Sequence, residues 1–334
     1  MGFIRKFFAL SIFLALAAVG GMLYWTNQPI PNVEKSLDFS IKPGSGVRSA
    51  ARQMQAAGVD VSPLLFEIMA RATGKAGKIK AGSYALEPGK TPLDLLDKLV
   101  NGEFSMGNLV IIEGWTFAQM RKAVDANADL RHDTRDLSEH DLMQKINADY
   151  SQPEGLFFPD TYLFAKGSSD LQLYQQAHML QLKKLNEAWN SKAVGLPYKT
   201  PYEALIMASI IEKETGQKAE RGLIAAVFIN RLRNGMLLQT DPTVIYGMGE
   251  HYQGKIYKKD LLTDTPYNTY TRAGLPPTPI ALPGLASLTA ALNPAQSDAL
   301  YFVARGDGSS HFSDNLSEHN RAVNKYQRNS GAKP

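Results

Sequence analysis

The sequence predicts an α+β protein carried behind a single N-terminal transmembrane helix, and three observations predict it. An uncharged, mostly apolar run extends from Phe7 to Trp25 behind Arg5 and Lys6. A small unit of strand, tight turn, cap and amphipathic helix then recurs. After residue 153 come helices that are apolar on nearly every side, joined by Pro- and Gly-rich loops. With 334 residues, 44% of them hydrophobic and 20% charged, the chain has core material for two or three domains and is too apolar for disorder. It contains no cysteine, which excludes disulfides, thiolate metal sites and thiol nucleophiles. Arg5 and Lys6 carry two of the net four positive charges, so the remainder has no basic stripe and nucleic acid is not an expected partner.

The apolar run of about nineteen residues is long enough for a hydrocarbon core of roughly 30 Å. The positive-inside rule puts Arg5 and Lys6 in the cytoplasm, and Tyr24 and Trp25 suit the outer interface. A cleaved signal peptide is the competing reading. The run is longer than a typical signal core, however, and no clear cleavage site follows it.

The first strand–turn–helix copy is Asp38-Phe-Ser-Ile-Lys-Pro-Gly followed by Val47 to Ala57. The second is Gly82-Ser-Tyr-Ala-Leu, the turn Glu87-Pro-Gly-Lys and a helix from Thr91-Pro92 to Val100, stopped by Gly102. The third runs from Asn108-Leu-Val-Ile-Ile into a helix after Thr116. A polar stretch over about 128–150 marks a boundary. A long helix is expected over Asp170 to Trp189, and Gly306-Asp-Gly308 reads as a hairpin turn between Tyr301-Phe-Val and His311-Phe.

Thr200-Pro-Tyr-Glu203 opens a helix with a capping box and Pro at its first position, predicted to reach Thr215 and stop at Gly216. Ala204, Leu205, Ile206, Met207, Ala208, Ile210 and Ile211 surround its axis, so it is predicted to be buried. Yet it ends Glu212-Lys213-Glu214. A carboxyl at the end of a buried helix is either paired or functional, because desolvation raises its pKa toward that of a catalytic acid. Helical spacing does not choose between Glu212 and Glu214. A second helix follows from Glu220 to Asn234. Gln239, Thr240, Asp241, Tyr246, Asn268 and Tyr270, with Asn230 on that helix, are amide, hydroxyl, carboxyl and aromatic groups suited to a saccharide groove. The six histidines show no metal-ligand spacing, and neither a metal nor another cofactor is expected.

Several blocks in order resemble one family. They are Ala208-Ser-Ile-Ile-Glu-Lys-Glu-Thr215, Phe228-Ile-Asn-Arg-Leu, Leu238-Gln-Thr-Asp-Pro-Thr-Val-Ile-Tyr-Gly247, Tyr267-Asn-Thr-Tyr270 and Gly274-Leu-Pro-Pro277. Glu154-Gly, Phe158-Pro-Asp-Thr161, Phe312-Ser-Asp-Asn-Leu and His319-Asn extend the likeness. Together they are similar to the endolytic murein transglycosylase (YceG-like) family. The resemblance implies a cytoplasmic tail over 1–6, a transmembrane helix over 7–25, a linker over 26–36 and a LysM-like module over 37–105. A connecting region over 106–152 and a catalytic domain over 153–334 complete the expected order.

It also implies that Glu214 is the essential acid of a peptidoglycan lytic transglycosylase, one that cuts MurNAc–GlcNAc bonds within glycan strands and leaves 1,6-anhydro ends. Glu212 is expected to support it. The implied setting is the bacterial inner membrane, with a cytoplasmic N-terminus and a periplasmic catalytic domain acting on nascent strands beside membrane-bound synthases (penicillin-binding proteins). Two alternatives stay open: a muramidase-type hydrolase using Glu214 with Asp241, and a non-catalytic glycan-binding scaffold.

Overall fold

A computed structural model describes residues 2–214 and 217–328. Among the described residues, helices alternate with three two-stranded sheets, in agreement with the α+β expectation. The chain divides into two compact units. The first comprises Met1–Asn108, Ala128–Arg131 and Leu163–Ser168; the second comprises Leu109–Asn127, His132–Tyr162 and Ser169–Pro334.

The first unit begins with α1 (Gly2–Asn27). Within Phe3–Asn27 the most apolar stretch of 18 residues has a mean hydropathy of 2.1, and this is the one helix among the described residues long and apolar enough to cross a membrane. The residues after α1 are tied down: Ile30 is buried, and its N–H donates to the Lys90 carbonyl at 2.8 Å. Next come β1 (Leu37–Ile41), α2 (Val47–Ala56), α3 (Pro63–Ala72), β2 (Gly82–Leu86) and α4 (Pro92–Asn101). Strands β1 and β2 pair antiparallel, Leu37 opposite Leu86 and Ile41 opposite Gly82. Phe39, Ile41, Met54, Phe66, Tyr84 and Leu96 fill the core of this unit.

Both strand–turn–helix copies expected in this stretch are present, β1 with α2 and β2 with α4, and one further helix lies between them. The overlooked helix, α3, has its own start signal. Ser62 is its N-cap, accepting from the Leu65 N–H, and Pro63 occupies the first helical position. Helix α4 matches its prediction more closely, with a reciprocal Thr91–Asp94 capping box and left-handed Gly102 (φ +74°) at its end.

In the second unit, α5 (Phe117–Ala126), α6 (Glu139–Lys145) and α7 (Asp170–Asn190) precede α8 (Pro201–Glu214) and α9 (Arg221–Arg233). Helices α10 (Asp241–Met248), α11 (Lys258–Leu262), α12 (Leu285–Leu292) and α13 (Leu316–Val323) follow, with the hairpin β3–β4 (Tyr301–Ala304, Ser310–Ser313) before the last. The hairpin falls where Gly306-Asp-Gly308 predicted it, with Tyr301 opposite Ser313. Every residue of α8 from Ala204 to Ile211 is buried, as its uniformly apolar surface requires. Its first turn departs slightly from a standard capping box. Thr200 Oγ1 accepts from the Glu203 N–H at 3.3 Å, but the Glu203 carboxylate reaches the Lys199 N–H, one residue early. The predicted stop at Thr215 and Gly216 lies outside the described residues.

Candidate active site

Helix α8 ends in the two carboxylates that periodicity left unresolved, and their partners separate them. The Glu212 side chain is only 7% exposed and is structural in its contacts. Its Oε2 accepts from the Gly284 N–H at 3.0 Å, and its Oε1 lies 3.5 Å from the buried Arg221 guanidinium. Among the described residues Glu214 makes no ion pair, and its Oε1 accepts a hydrogen bond from the Thr240 hydroxyl. Burial pushes its carboxyl above the ordinary glutamate value. The Asp241 charge adds to that shift, and the Thr240 hydrogen bond opposes it.

Thr240 is well placed to hold this acid because its own surroundings are crowded with hydrogen bonds. Its N–H donates to Thr269 Oγ1 at 3.1 Å, and its carbonyl accepts from the Thr243 hydroxyl at 2.8 Å. As N-cap of α10 it makes no side-chain cap, since its hydroxyl goes to Glu214 instead. The sequence presented 236–249 as an apolar segment broken at Asp241-Pro242. In the structure those two residues open α10, where proline's fixed φ and missing N–H are no handicap. Just before them Gln239 takes a left-handed φ of +51°, a strained conformation worth roughly 1–3 kcal/mol for a non-glycine residue. Arg231 holds the preceding segment by donating to the Leu238 carbonyl at 2.8 Å and to the Leu300 carbonyl at 2.7 Å.

Glu214, Arg231, Gln239, Asp241, Tyr270 and His319 line a groove of about 560 Å³. Tyr270 donates to Asp241 Oδ1 at 2.6 Å, and burial followed by the Asp241 charge raises its phenol, so it stays a donor at neutral pH. His319 stacks on Tyr301 with ring centroids 5.1 Å apart. Burial, then the Arg231 and His311 charges, lower its pKa and favour the neutral ring.

Of the residues proposed from sequence, Glu214, Gln239, Asp241 and Tyr270 meet in this groove, and Thr240 touches its acid. The others do not line it. Asn230 donates its amide to the Ser297 and Ala299 carbonyls at 2.8 and 3.1 Å. Asn268 is fully buried, and its amide donates to the carbonyls of Asp260, Leu261 and Thr263. Both therefore act as loop anchors. Tyr246 faces a second cavity of about 780 Å³, where its hydroxyl donates to Glu154 Oε2 at 3.0 Å.

Glu154 is not among the groove residues expected from sequence, although its Glu-Gly pair belongs to the blocks shared with the family. It also accepts from the Phe117 N–H at the start of α5, at 3.0 Å. Burial raises its carboxyl to about 7, against the pull of those donors. The next residue has to be glycine: Gly155 sits at φ +77°, and a Cβ there would fall 2.4 Å from Pro279.

One group of metal-type side chains occurs among the described residues. Ligand atoms of Asp125, His132 and Asp170 lie within 4.8 Å of one another. Drawn from separated segments, they are invisible to a spacing argument. The Asp170 carboxylate already accepts from the Asp133 and Thr134 N–H groups and the Thr134 hydroxyl, which fastens that turn to the start of α7.

A buried helix thus delivers an acid into a polar groove. The chain belongs to the YceG-like family, whose sequence model matches residues 39–325. A Bacillus subtilis (strain 168) protein named endolytic murein transglycosylase is 33% identical over 332 residues, covering 92% of this chain and 91% of that one. A protein of the same name from Streptococcus pneumoniae serotype 2 is 30% identical over 355 residues. It matches 93% of this chain and 63% of its own length. A crystal structure described as a yceG-like protein from Listeria monocytogenes aligns with a TM-score of 0.53 at 30% identity, over 86% of this chain and 99% of that one.

Proposed function

We propose that this protein is an endolytic peptidoglycan lytic transglycosylase, with Glu214 as its acid and base. The observation that carries the reading is a carboxyl raised by burial, held by Thr240 and open to a groove lined by Gln239, Asp241 and Tyr270. Cleavage of a MurNAc–GlcNAc bond needs a proton on the bridging oxygen as an oxocarbenium-like centre develops. Protonated Glu214 supplies it, and the GlcNAc leaves as a free alcohol. The resulting carboxylate then takes the proton from the 6-hydroxyl of the same muramoyl residue, whose oxygen closes on the anomeric carbon. The product is a 1,6-anhydro end, no water is consumed, and Glu214 regains its starting proton.

A hydrolase is the second reading, favoured by Asp241 in the same groove. There the Asp241 carboxylate would direct water, giving a reducing end. Tyr270 donates to one of its oxygens, and the like charge of Asp241 helps to keep Glu214 protonated, so Asp241 serves the lyase scheme as well.

In the same reading α1 is an uncleaved anchor. Its N-terminal Arg5 and Lys6 lie in the cytoplasm and the remainder of the chain is periplasmic. The region over 37–105 is a LysM-like module, supported by its strand–helix–helix–strand order and its own core. Anchorage at the inner membrane suits nascent strands leaving membrane-bound synthases, and cutting them would terminate their elongation. The test is mass spectrometry of purified glycan strands incubated with full-length protein, wild type beside Glu214→Gln. Anhydro-ended fragments from the wild type alone support the proposal; cleavage by neither protein favours the scaffold.

A further inference from the structure

Helix α3 is apolar on two faces, and its own unit covers one of them. Phe66, Met69 and Ala70 point into the core, whereas Leu64 and Ile68 are 55% and 45% exposed. This second face is not isolated. Leu65, Ile68 and Ala72 form one wall of an almost wholly apolar groove of about 620 Å³, and Val19, Met22 and Trp25 of α1 form the other. At 1.5 Å per residue, Val19 lies about 9 Å along the helix axis from Trp25. If Trp25 marks the outer interface, the groove reaches about that far into the hydrocarbon, within the 5–10 Å depth typical of interfacial helices.

The geometry points to a second membrane contact: the outer face of α3, with Leu64, Leu65 and Ile68, seats in the outer leaflet, and lipid acyl chains fill the groove between α3 and α1. This rests on reading α1 as a membrane span. The lipid is identified by continuity. The exposed side chains of α1, including Leu16, Val19 and Leu23, run into the groove without a polar break, so one solvent covers both. The chain between the two is also fixed. Thr26 and Ile30 are buried, and Ile30 is hydrogen-bonded to Lys90, so α3 cannot swing away from the end of α1 on a loose tether. Arg71, exposed and paired with Glu67, borders the face with a side chain long enough to reach the headgroups. The first unit is then a pedestal resting on the bilayer.

The absence of cysteine allows a clean test on the full chain in nanodiscs. Single cysteines at Leu64, Ile68, Leu14 and the exposed polar Lys42 are spin-labelled, and their collisions with oxygen and with a water-soluble nickel chelate are measured. The proposal expects labels at 64 and 68 to resemble the in-span label at 14, with chelate access about tenfold below that at 42, because the polar chelate is excluded from hydrocarbon. Chelate access at 64 and 68 equal to that at 42, with 14 still protected, overturns the seating of α3 and leaves the anchor intact. Access at 14 as well overturns the anchor reading and the proposal with it. Spin–spin broadening between copies labelled at 68 would show that a second chain fills the groove, and would also overturn it.

Discussion

Two carboxylates two residues apart on one helix have different chemistry because of what meets them from elsewhere in the chain. Glu212 faces Arg221 and the Gly284 N–H; Glu214 faces a hydroxyl and a second acid. Replacing Glu214 by Gln keeps the shape and removes the proton, so turnover should fall by about 10²–10⁴ with folding unchanged, checked by product release and circular dichroism. Thr240→Val removes the donor that favours the Glu214 carboxylate. Its pKa should rise further, and the alkaline limb of the pH–rate profile, where the acid is lost, should move to higher pH. Glu212→Gln instead leaves Arg221 buried without its counter-ion. It should cost about 3–5 kcal/mol in denaturant unfolding, the usual cost of breaking a buried pair. Periodicity could bring both glutamates to the buried end of α8 but could not sort them, because Thr240 and Gly284 are distant in sequence. Gln239, Asp241 and Tyr270 were recognisable as groove residues from their polar and aromatic character. Asn230 and Asn268 had the same character, and only their carbonyl partners reveal them as loop anchors.

Elements announced by several concurring local signals are legible, whereas those with a lone start signal or defined by distant partners are not. Helices α4 and α8 carry caps, proline starts and a clear apolar pattern, and they lie where those signals put them. Helices α10 and α3 are hidden because an Asp-Pro or Ser-Pro start reads equally well as a turn. Glu154 joins two elements, accepting from the first N–H of α5 and from Tyr246 on α10. Its carboxyl is raised from 4.5 to about 7 on folding, so it favours the folded state fully only below the unfolded value. That contribution is lost as pH rises from about 4.5 through 7, an effect on the order of 3 kcal/mol. Glu154→Gln should therefore flatten the dependence of unfolding free energy on pH across that window. A variant with the wild-type slope would show that Glu154 does not titrate there.

For the whole molecule, the blocks shared with the YceG-like family carry the glycan reading, the acid at the end of a buried helix suits it, and the apolar run behind Arg5 and Lys6 is long enough to cross a membrane. The blocks were legible because they are long and ordered. The pedestal was not, since the exposed face of α3 acquires meaning only beside α1. The most direct test of the account is mass spectrometry of cleavage products made by the full-length protein in ¹⁸O-labelled water. The account predicts 1,6-anhydro-muramoyl ends without the label from the wild type, and none from Glu214→Gln. Reducing muramoyl ends carrying solvent oxygen, or undiminished cleavage by Glu214→Gln, would contradict it.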